Sequence, residues 1–220
     1  MQSDQPMDGN MDRNADPGIH SSSFGHFSFS SSAGLFPPGQ DNWSLPGAHN
    51  SRIGEPRIAI LIDGASLFYA ALQLQVEIDY LKLLHYLRGN RQLLRAYFYT
   101  GSDRSNERQQ GFLLWMRRNG YRVVTKDLVT LPDGSRKANL DVEIAIDMMT
   151  LGNYCDTIVL LSGTGDLSYA VNALSYRGVK IEIVSLRANT NDQLINLADR
   201  FVDLADIQAL IRKTSEPSTN

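Results

Sequence analysis

Two stretches of the sequence end in aspartates that are placed to do chemistry together. Residues 58–62 form a continuous apolar run that leads into Asp63, and residues 157–161 form a second run, which is followed by a Ser-Gly-Thr-Gly turn and Asp166. Runs of this kind are typical of strands that are buried on both faces of a parallel sheet. Open α/β sheets bind ligands just beyond the carboxyl ends of their strands, so neighbouring strands would bring both carboxylates into one crevice.

A hard divalent cation is the ligand that suits these carboxylates best. Mg²⁺ and Mn²⁺ bind a few carboxylate oxygens and keep several waters, which leaves room for a phosphate. A third acid, Asp141, opens the helix predicted before the second run, and Lys137 lies four residues upstream. An ion held by Asp63, Asp141 and Asp166 could activate water and neutralise charge on a scissile phosphate. The residue types leave a structural interpretation equally open, in which Asp141 and Asp166 are helix N-caps and Asp63 closes a turn.

Two nucleotide-binding patterns are disfavoured at the same turns. A dinucleotide fold needs Gly-x-Gly-x-x-Gly after its first strand, whereas this turn begins with Asp63 and lacks the second and third glycines. A carboxylate at that position would repel a pyrophosphate. Gly163-Thr-Gly165 is not followed by Lys and then Ser or Thr, so it does not match a phosphate loop.

The first 55 residues differ in composition from the remainder. They are rich in Ser, Gly, Pro and Asn and lack helical or strand periodicity, so they cannot bury enough apolar surface to offset the entropy of ordering. We expect a disordered tail over residues 1–55, one domain over residues 56–212 and a flexible C-terminus over residues 213–220. Tail aromatics such as Phe24 and Trp43 offer contacts to a protein partner, although a solvated leader is the simpler interpretation.

Charge and cysteine content exclude several classes of protein. The chain has 24 acidic and 21 basic residues, and subtracting the six acids and two bases of the tail leaves 18 against 19. The domain is therefore near neutral and lacks the basic surface of a general nucleic-acid binder. The single cysteine, Cys155, excludes an intrachain disulfide. No signal-peptide pattern or apolar run of roughly 20 residues occurs, so we expect a soluble, cytoplasmic protein without membrane contact; homo-oligomerisation stays open.

The remaining elements must position the acids, and they alternate along the chain. Further strands are predicted near residues 93–99, 121–125 and 180–184, and helices near 66–74, 79–87, 105–119, 139–149, 167–176, 192–198 and 204–211. Strands that alternate with helices indicate an α/β fold with a mainly parallel, helix-covered sheet. The shared crevice requires the strands near 58–62 and 157–161 to be neighbours in that sheet.

Three separated motifs resemble the NYN domain family, and within it the LabA-like branch. They are Ile62-Asp63-Gly-Ala-Ser66-Leu, then Lys137-Ala-Asn-Leu-Asp141-Val-Glu-Ile-Ala-Ile-Asp147, then Leu161-Ser162-Gly-Thr-Gly-Asp166-Leu. The resemblance covers about residues 57–207. It implies a three-layer, Rossmann-like (PIN-like) domain whose ribonuclease-type site uses Mg²⁺ or Mn²⁺ and acts on single-stranded RNA.

The resemblance also implies roles for individual residues. Asp63 and Asp141 would be the metal carboxylates, and Asp166 would be a third acid from the last motif. Candidates for contact with the substrate are Ser66 and Thr164, within the motifs, and the basic residues Lys137 and Arg104, which are chosen for their charge and position and not from the resemblance. Of these, Arg104 also fits a solvated helix face of mixed charge.

Two positions depart from the family pattern. Ser66 stands where the family commonly has Asn, and Thr164 stands where it commonly has Asp. Loss of a carboxylate weakens a shared cation site, because the number of charged ligands sets affinity at oxygen-ligand sites. Two functions therefore stay open: a metal-dependent endoribonuclease, and a catalytically weakened LabA-like protein that binds RNA or a protein partner to control gene expression, as in circadian output.

Overall fold

A computed structural model describes residues 55–214 of the chain. The predicted disordered tail lies outside the described residues apart from Glu55, and so does the predicted flexible C-terminus from residue 215 onward. Within the described part, none of the helices is long and apolar enough to cross a bilayer.

Strands and helices alternate through the described residues. The strands are β1 (Arg57–Asp63), β2 (Gln92–Ser102), β3 (Tyr121–Asp127), β4 (Val129–Thr130), β5 (Arg136–Lys137), β6 (Thr157–Leu161), β7 (Lys180–Ser185) and β8 (Arg200–Asp203). The α-helices are α1 (Gly64–Leu74), α2 (Tyr80–Arg88), α3 (Glu107–Arg118), α4 (Asp141–Leu151), α5 (Ser168–Ser175), α6 (Asp192–Leu197) and α7 (Leu204–Ile211). Short 3₁₀ helices at Gly165–Leu167 and Arg187–Asn189 follow β6 and β7.

The main sheet is parallel and is centred on β1. Its strands lie in the order β3-β2-β1-β6-β7-β8. Strand β1 pairs with β6 from Ile58 opposite Thr157 to Ile62 opposite Leu161, which confirms that the two apolar runs are neighbours. From β1 the chain adds β2 and β3 on one side and later adds β6, β7 and β8 on the other. The crevice beyond β1 and β6 is therefore the point where the strand order reverses, and open sheets of this kind bind ligands there.

Helices cover both faces of the sheet, as the continuous apolar runs predict. Along β1, Ile58, Ile60 and Ile62 pack into one core with α1, α2, α3 and α7. Ala59 and Leu61 point the other way, into a second core with α4, α5 and α6. All five side chains are 0% exposed, so β1 contributes fully buried side chains to the cores on both faces of the sheet. The three-layer α/β architecture is confirmed.

Two parts of the fold are not anticipated by the sequence patterns. Strand β8 is a four-residue edge strand, Arg-Phe-Val-Asp, that pairs with β7 from Glu182 opposite Arg200 to Ser185 opposite Asp203. Strands β4 and β5 form a small exposed hairpin around the turn that contains Gly134. Strands of two to four residues are too short to show the alternation that identifies a strand in a sequence.

Candidate functional site

Asp63 and Ser162 lie side by side at the carboxyl edge of the main sheet. Asp63 is the last residue of β1, and Ser162 directly follows β6, whose Leu161 is paired with Ile62. The Asp63 side chain is half-buried, whereas Ser162 is 0% exposed. The last residue of β1 therefore presents a carboxylate to the crevice, and the residue after β6 supplies a buried hydroxyl beside it.

The Asp63 carboxylate accepts four hydrogen bonds. Its Oδ1 accepts from the backbone N–H groups of Ala65, at 3.0 Å, and Ser66, at 3.4 Å, which makes Asp63 the N-cap of α1. Its Oδ2 accepts from the hydroxyls of Ser66, at 2.5 Å, and Ser162, at 3.3 Å. A carboxylate offers about four lone-pair positions, so a cation at Oδ2 would require one serine hydroxyl to rotate away.

Glycine follows Asp63 because the backbone passes close to its neighbours there. A Cβ on Gly64 would lie 2.8 Å from the Tyr99 carbonyl oxygen and 2.8 Å from the Phe98 ring. A Cβ on Gly163, in the turn after β6, would lie 2.5 Å from the carbonyl oxygen of Asn189. Both turns therefore close tightly around the crevice only because these residues lack a side chain.

Asp141 is the first residue of α4 and is half-buried. Its backbone N–H donates to Oδ1 of Asn139 at 2.8 Å. Burial raises the pKa of the Asp141 carboxyl, and the negative charges of Asp63 and Asp166 raise it further, while Asn139 and the Lys137 ammonium act in the opposite direction. The charges of Asp63, Asp166 and Lys137 therefore lie close enough to act on the Asp141 carboxyl, so the structure brings the three predicted aspartates and Lys137 into one electrostatic neighbourhood.

Asp141 and Asp166 face a shared open cleft of about 390 Å³, which we call the acidic cleft. Its lining residues are Lys126, Asn139, Asp141, Val142, Ala145 and Asp166. Asp166 is exposed, and the Lys126 ammonium is bound to Glu143 at 2.8 Å. The cleft therefore combines two carboxylates with one ammonium, which suits a cation and a phosphate together.

The interpretation of Asp141 and Asp166 as N-caps is wrong, and Asp63, which was expected to close a turn, is itself the N-cap of α1. Leu140 stands at the N-cap of α4 and makes no side-chain capping bond. Thr164 caps the 3₁₀ helix after β6, because its Oγ1 accepts from the backbone N–H of Asp166 at 3.3 Å. The carboxylates of Asp141 and Asp166 are therefore not used to cap these helices.

The predicted basic residues divide into two groups. Lys137, on β5, is exposed and acts on the Asp141 carboxyl. Arg104 pairs with a different acid, since its guanidinium lies 3.7 Å from the carboxylate of Asp127 in an exposed pair, and it is not among the charges that act on the Asp141 carboxyl. That pair matches the mixed-charge surface that the sequence also allowed, so Lys137 is the stronger candidate for phosphate contact.

Sequence reasoning missed two residues that the site uses. Ser162 bonds Asp63, and Lys126, near the end of β3, lines the acidic cleft. Both lie at the carboxyl end of a parallel strand, which is the signal that could have identified them. A third polar contact holds α4 in place: the buried Tyr99 hydroxyl donates to Oδ2 of Asp147 at 2.8 Å.

The carboxylates of the site suit a divalent ion only if the protein supplies few of its ligands. Among residues 55–214, no group of three or more His, Cys, Asp or Glu side chains is arranged to hold an ion. Mg²⁺ is commonly bound through one or two carboxylates together with waters and substrate phosphates. Asp63 and Asp141 are the two carboxylates that the sequence predicts for such a site, whereas a cage of three carboxylates does not fit the described residues.

A second open cleft of about 490 Å³ adjoins Asp63 through Ser66, and we call it the amide cleft. Its lining residues are Ser66, Tyr69, Ala70, Gln73, Gly163, Thr164, Ser185 and Asn189. Ser66, whose hydroxyl donates to Asp63, and Thr164 both line this cleft. None of the described residues that line the amide cleft carries a charged side chain.

Comparison with known proteins identifies relatives of the whole domain. The model of the NYN domain family matches residues 57–206. The chain is 38% identical over 169 residues to the low amplitude and bright protein LabA of Synechococcus elongatus, a match that covers 73% of this chain and 90% of LabA. A crystal structure of a protein of unknown function from Vibrio parahaemolyticus RIMD 2210633 superposes with a TM-score of 0.62 and 26% identity, covering 68% of this chain and 93% of that one. The residues matched by the family model include Asp63, Asp141 and Asp166.

Proposed function

The chain belongs to the NYN domain family, in its LabA-like branch, and we propose that it is a divalent-metal-dependent ribonuclease that cleaves single-stranded RNA. The family match and the LabA relative support a nuclease-type or LabA-like regulatory role. One observation supports metal-dependent cleavage in particular. At the point where the strand order reverses, the pKa of the Asp141 carboxyl is influenced by the charges of Asp63, Asp166 and Lys137.

Each residue of the site has a chemical task in this proposal. Asp63 and Asp141 would hold Mg²⁺ or Mn²⁺, which when bound neutralises charge on the scissile phosphate and makes a water more acidic. Lys126 and Lys137 would bind the phosphate oxygens through their ammonium groups. Asp166, exposed at the rim, would accept a proton from the attacking water. Only three of these five side chains, those of Lys126, Asp141 and Asp166, line the acidic cleft itself.

A second candidate function is a regulatory module that binds RNA without cleaving it. Thr164 favours this alternative, because a hydroxyl that caps a 3₁₀ helix stands where relatives commonly have a carboxylate. The described residues also include no group of three or more ligand side chains, and because fewer carboxylates give weaker metal binding, this favours the binding module as well.

RNA cleavage by the full chain separates the two functions. The assay uses end-labelled single-stranded RNA with saturating Mn²⁺ and compares the wild type with Asp141→Asn. Loss of even an outer support of a metal site commonly reduces affinity or activity about 10–100-fold, so loss of a ligand should reduce cleavage by about 100-fold or more. Asp206→Asn is the matched control, because Asp206 is an exposed acid in the first turn of α7. RNA binding without cleavage, unchanged by Asp141→Asn, would establish the binding module instead.

A further inference from the structure

One wall of the amide cleft is a single face of helix α1. Ser66, Tyr69, Ala70 and Gln73 follow the i, i+3, i+4, i+7 spacing that places helical side chains on one side. Tyr69 remains 64% exposed, although burial of an aromatic ring is strongly favourable. Its ring packs edge-on against Phe68, with the centroids 5.7 Å apart, so it is supported from one side and open on the other.

The opposite wall supplies an amide group that pairs with the helix. Asn189 ends the 3₁₀ helix after β7, and its Nδ2 donates to Oε1 of Gln73 at 2.7 Å. This pairing leaves the side-chain N–H₂ of Gln73 as a donor and the side-chain carbonyl oxygen, Oδ1, of Asn189 as an acceptor. Reversing both amides would exchange the two roles but would still leave one donor and one acceptor. The pair therefore presents a donor–acceptor edge across the cleft.

The chemistry of the amide cleft suits a nucleobase and not a phosphate. Its described lining carries no charged side chain, so a phosphate would find no ammonium or guanidinium there. An exposed ring beside a donor–acceptor edge is the combination by which proteins bind unstacked RNA bases. The volume of about 490 Å³ lies within the range of small-molecule sites.

The amide cleft is also correctly placed relative to the acids. The Ser66 hydroxyl that lines it bonds Oδ2 of Asp63 at 2.5 Å. Thr164 lines the same cleft, and its Oγ1 accepts from the backbone N–H of Asp166. A base in the amide cleft would therefore lie beside two residues, Ser66 and Thr164, that are each one hydrogen bond away from an aspartate of the proposed site.

We propose that the amide cleft binds one unstacked base of single-stranded RNA, with Tyr69 as the stacking surface and the Gln73–Asn189 pair reading the edge of the base. This inference rests on the proposed function, because it assigns the substrate contacts of the same site. In this proposal the amide cleft determines which base is preferred, while the aspartates act on the RNA backbone.

Binding of labelled eight-nucleotide RNAs to the full chain in Ca²⁺, followed by fluorescence anisotropy, tests the stacking surface. Tyr69→Ala should weaken binding of a uridine or adenosine oligomer about 5- to 150-fold, the range found for loss of one base–aromatic stack. Tyr69→Phe keeps the ring and should bind like the wild type. Tyr176→Ala is the matched control, because Tyr176 is 85% exposed at the end of α5, on the opposite edge of the sheet.

Two further measurements test base recognition itself. An eight-unit ribose-phosphate oligomer without bases should bind the wild type more weakly than RNA and should be insensitive to Tyr69→Ala. Gln73→Leu should change the ratio of affinities for adenosine, cytidine and uridine oligomers about tenfold or more, because a two-point contact to a base edge gives discrimination of that size.

The outcomes distinguish the two proposals. If the wild type cleaves RNA but Tyr69→Ala and Tyr176→Ala bind it equally well, the base site is overturned, the ribonuclease proposal stands, and the exposed Phe68–Tyr69 pair is assigned to protein contact instead. Equal binding of the base-free oligomer would overturn the base site in the same way. If the wild type neither binds nor cleaves RNA, the proposed function fails and the base site fails with it.

Discussion

Substitutions at Asp63 separate the structural role of this carboxylate from its proposed metal role. Oδ1 caps α1 through two backbone N–H groups, and Oδ2 accepts from the hydroxyls of Ser66 and Ser162. Asparagine keeps one oxygen for the cap and places an amide beside hydroxyls that can rotate to accept from it. Alanine removes every one of these bonds. We expect Asp63→Asn to lose metal binding with little change in folding, and Asp63→Ala to lose both.

The geometry sets the size of the expected difference. Loss of a side-chain N-cap costs about 0.5–2 kcal/mol. Ser162 is fully buried, and leaving its hydroxyl without this acceptor adds about 1–3 kcal/mol. Asp63→Ala should therefore lower the free energy of unfolding by about 1.5–5 kcal/mol, which corresponds to roughly 3–20 °C in the melting temperature of a chain of this size. Asp63→Asn should stay within about 1 kcal/mol of the wild type, because the cap is retained.

Thermal unfolding with and without Mn²⁺ measures both effects in one assay. At 100 times its dissociation constant, an ion that binds only the folded state stabilises it by about 2.7 kcal/mol. The wild type should show this shift, while Asp63→Asn should melt like the apo wild type and show none. A full Mn²⁺ shift in Asp63→Asn would refute the assignment of Asp63 as a ligand. If Asp63→Ala is as stable as Asp63→Asn, the argument from capping and buried hydroxyls is wrong.

Three further predictions concern positions around the site and the core. Thr164→Asp should tighten Mn²⁺ binding about tenfold in calorimetry and speed RNA cleavage, because one more carboxylate adds on the order of 1 kcal/mol of screened attraction; unchanged affinity would mean that residue 164 does not face the ion. Burial raises the pKa of the Cys155 thiol to about 11, so an aromatic disulfide reagent at pH 8 should react slowly with it until urea unfolds the chain. The free energy of unfolding should fall as the pH rises from 9 towards 11, because in that range the thiol ionises readily only in the unfolded chain. Gly163→Ala should lower the melting temperature by the equivalent of about 1–3 kcal/mol, since its Cβ would meet the Asn189 carbonyl, whereas Gly111→Ala, in open space on α3, should raise it slightly.

The fold could be predicted from the sequence where burial leaves a long pattern. The runs that became β1 and β6 are apolar on both faces, so their burial inside a parallel sheet followed from composition, whereas their pairing was a requirement of the shared crevice that the structure confirms. Strand β8 could not be predicted, because its four residues are at most half-buried and only two residues separate them from α6. Its pairing is decided by the exposed edge of β7, which is a property of the assembled sheet and not of the local sequence.

The site was predictable in its acids and less so in its contacts. An aspartate after a buried strand can be located from the sequence, but the partner of each oxygen depends on side chains about 100 residues away, as with Asp63 and Ser162. The same limit explains Asp166, which the sequence allowed as a cap until the geometry assigned capping to Thr164. The amide cleft was not predictable at all, because Gln73 and Asn189 are 116 residues apart and neither belongs to a motif.

The hydroxyls around Asp63 explain how this chain can keep an acidic crevice stable without an ion. Ser66 and Ser162 donate to Oδ2, so the charge of Asp63 is solvated by fixed dipoles, and Thr164 contributes a neutral cap where a further carboxylate would add repulsion. Two effects follow from the same substitutions. Repulsion between carboxylates is smaller in the metal-free protein. A cation would have to displace a hydroxyl from Asp63 and would gain fewer charged ligands, which weakens its binding. Under the proposed function, we therefore expect this chain to bind Mn²⁺ only at a higher metal concentration than its Thr164→Asp variant, and calorimetric titration of the two proteins measures the difference.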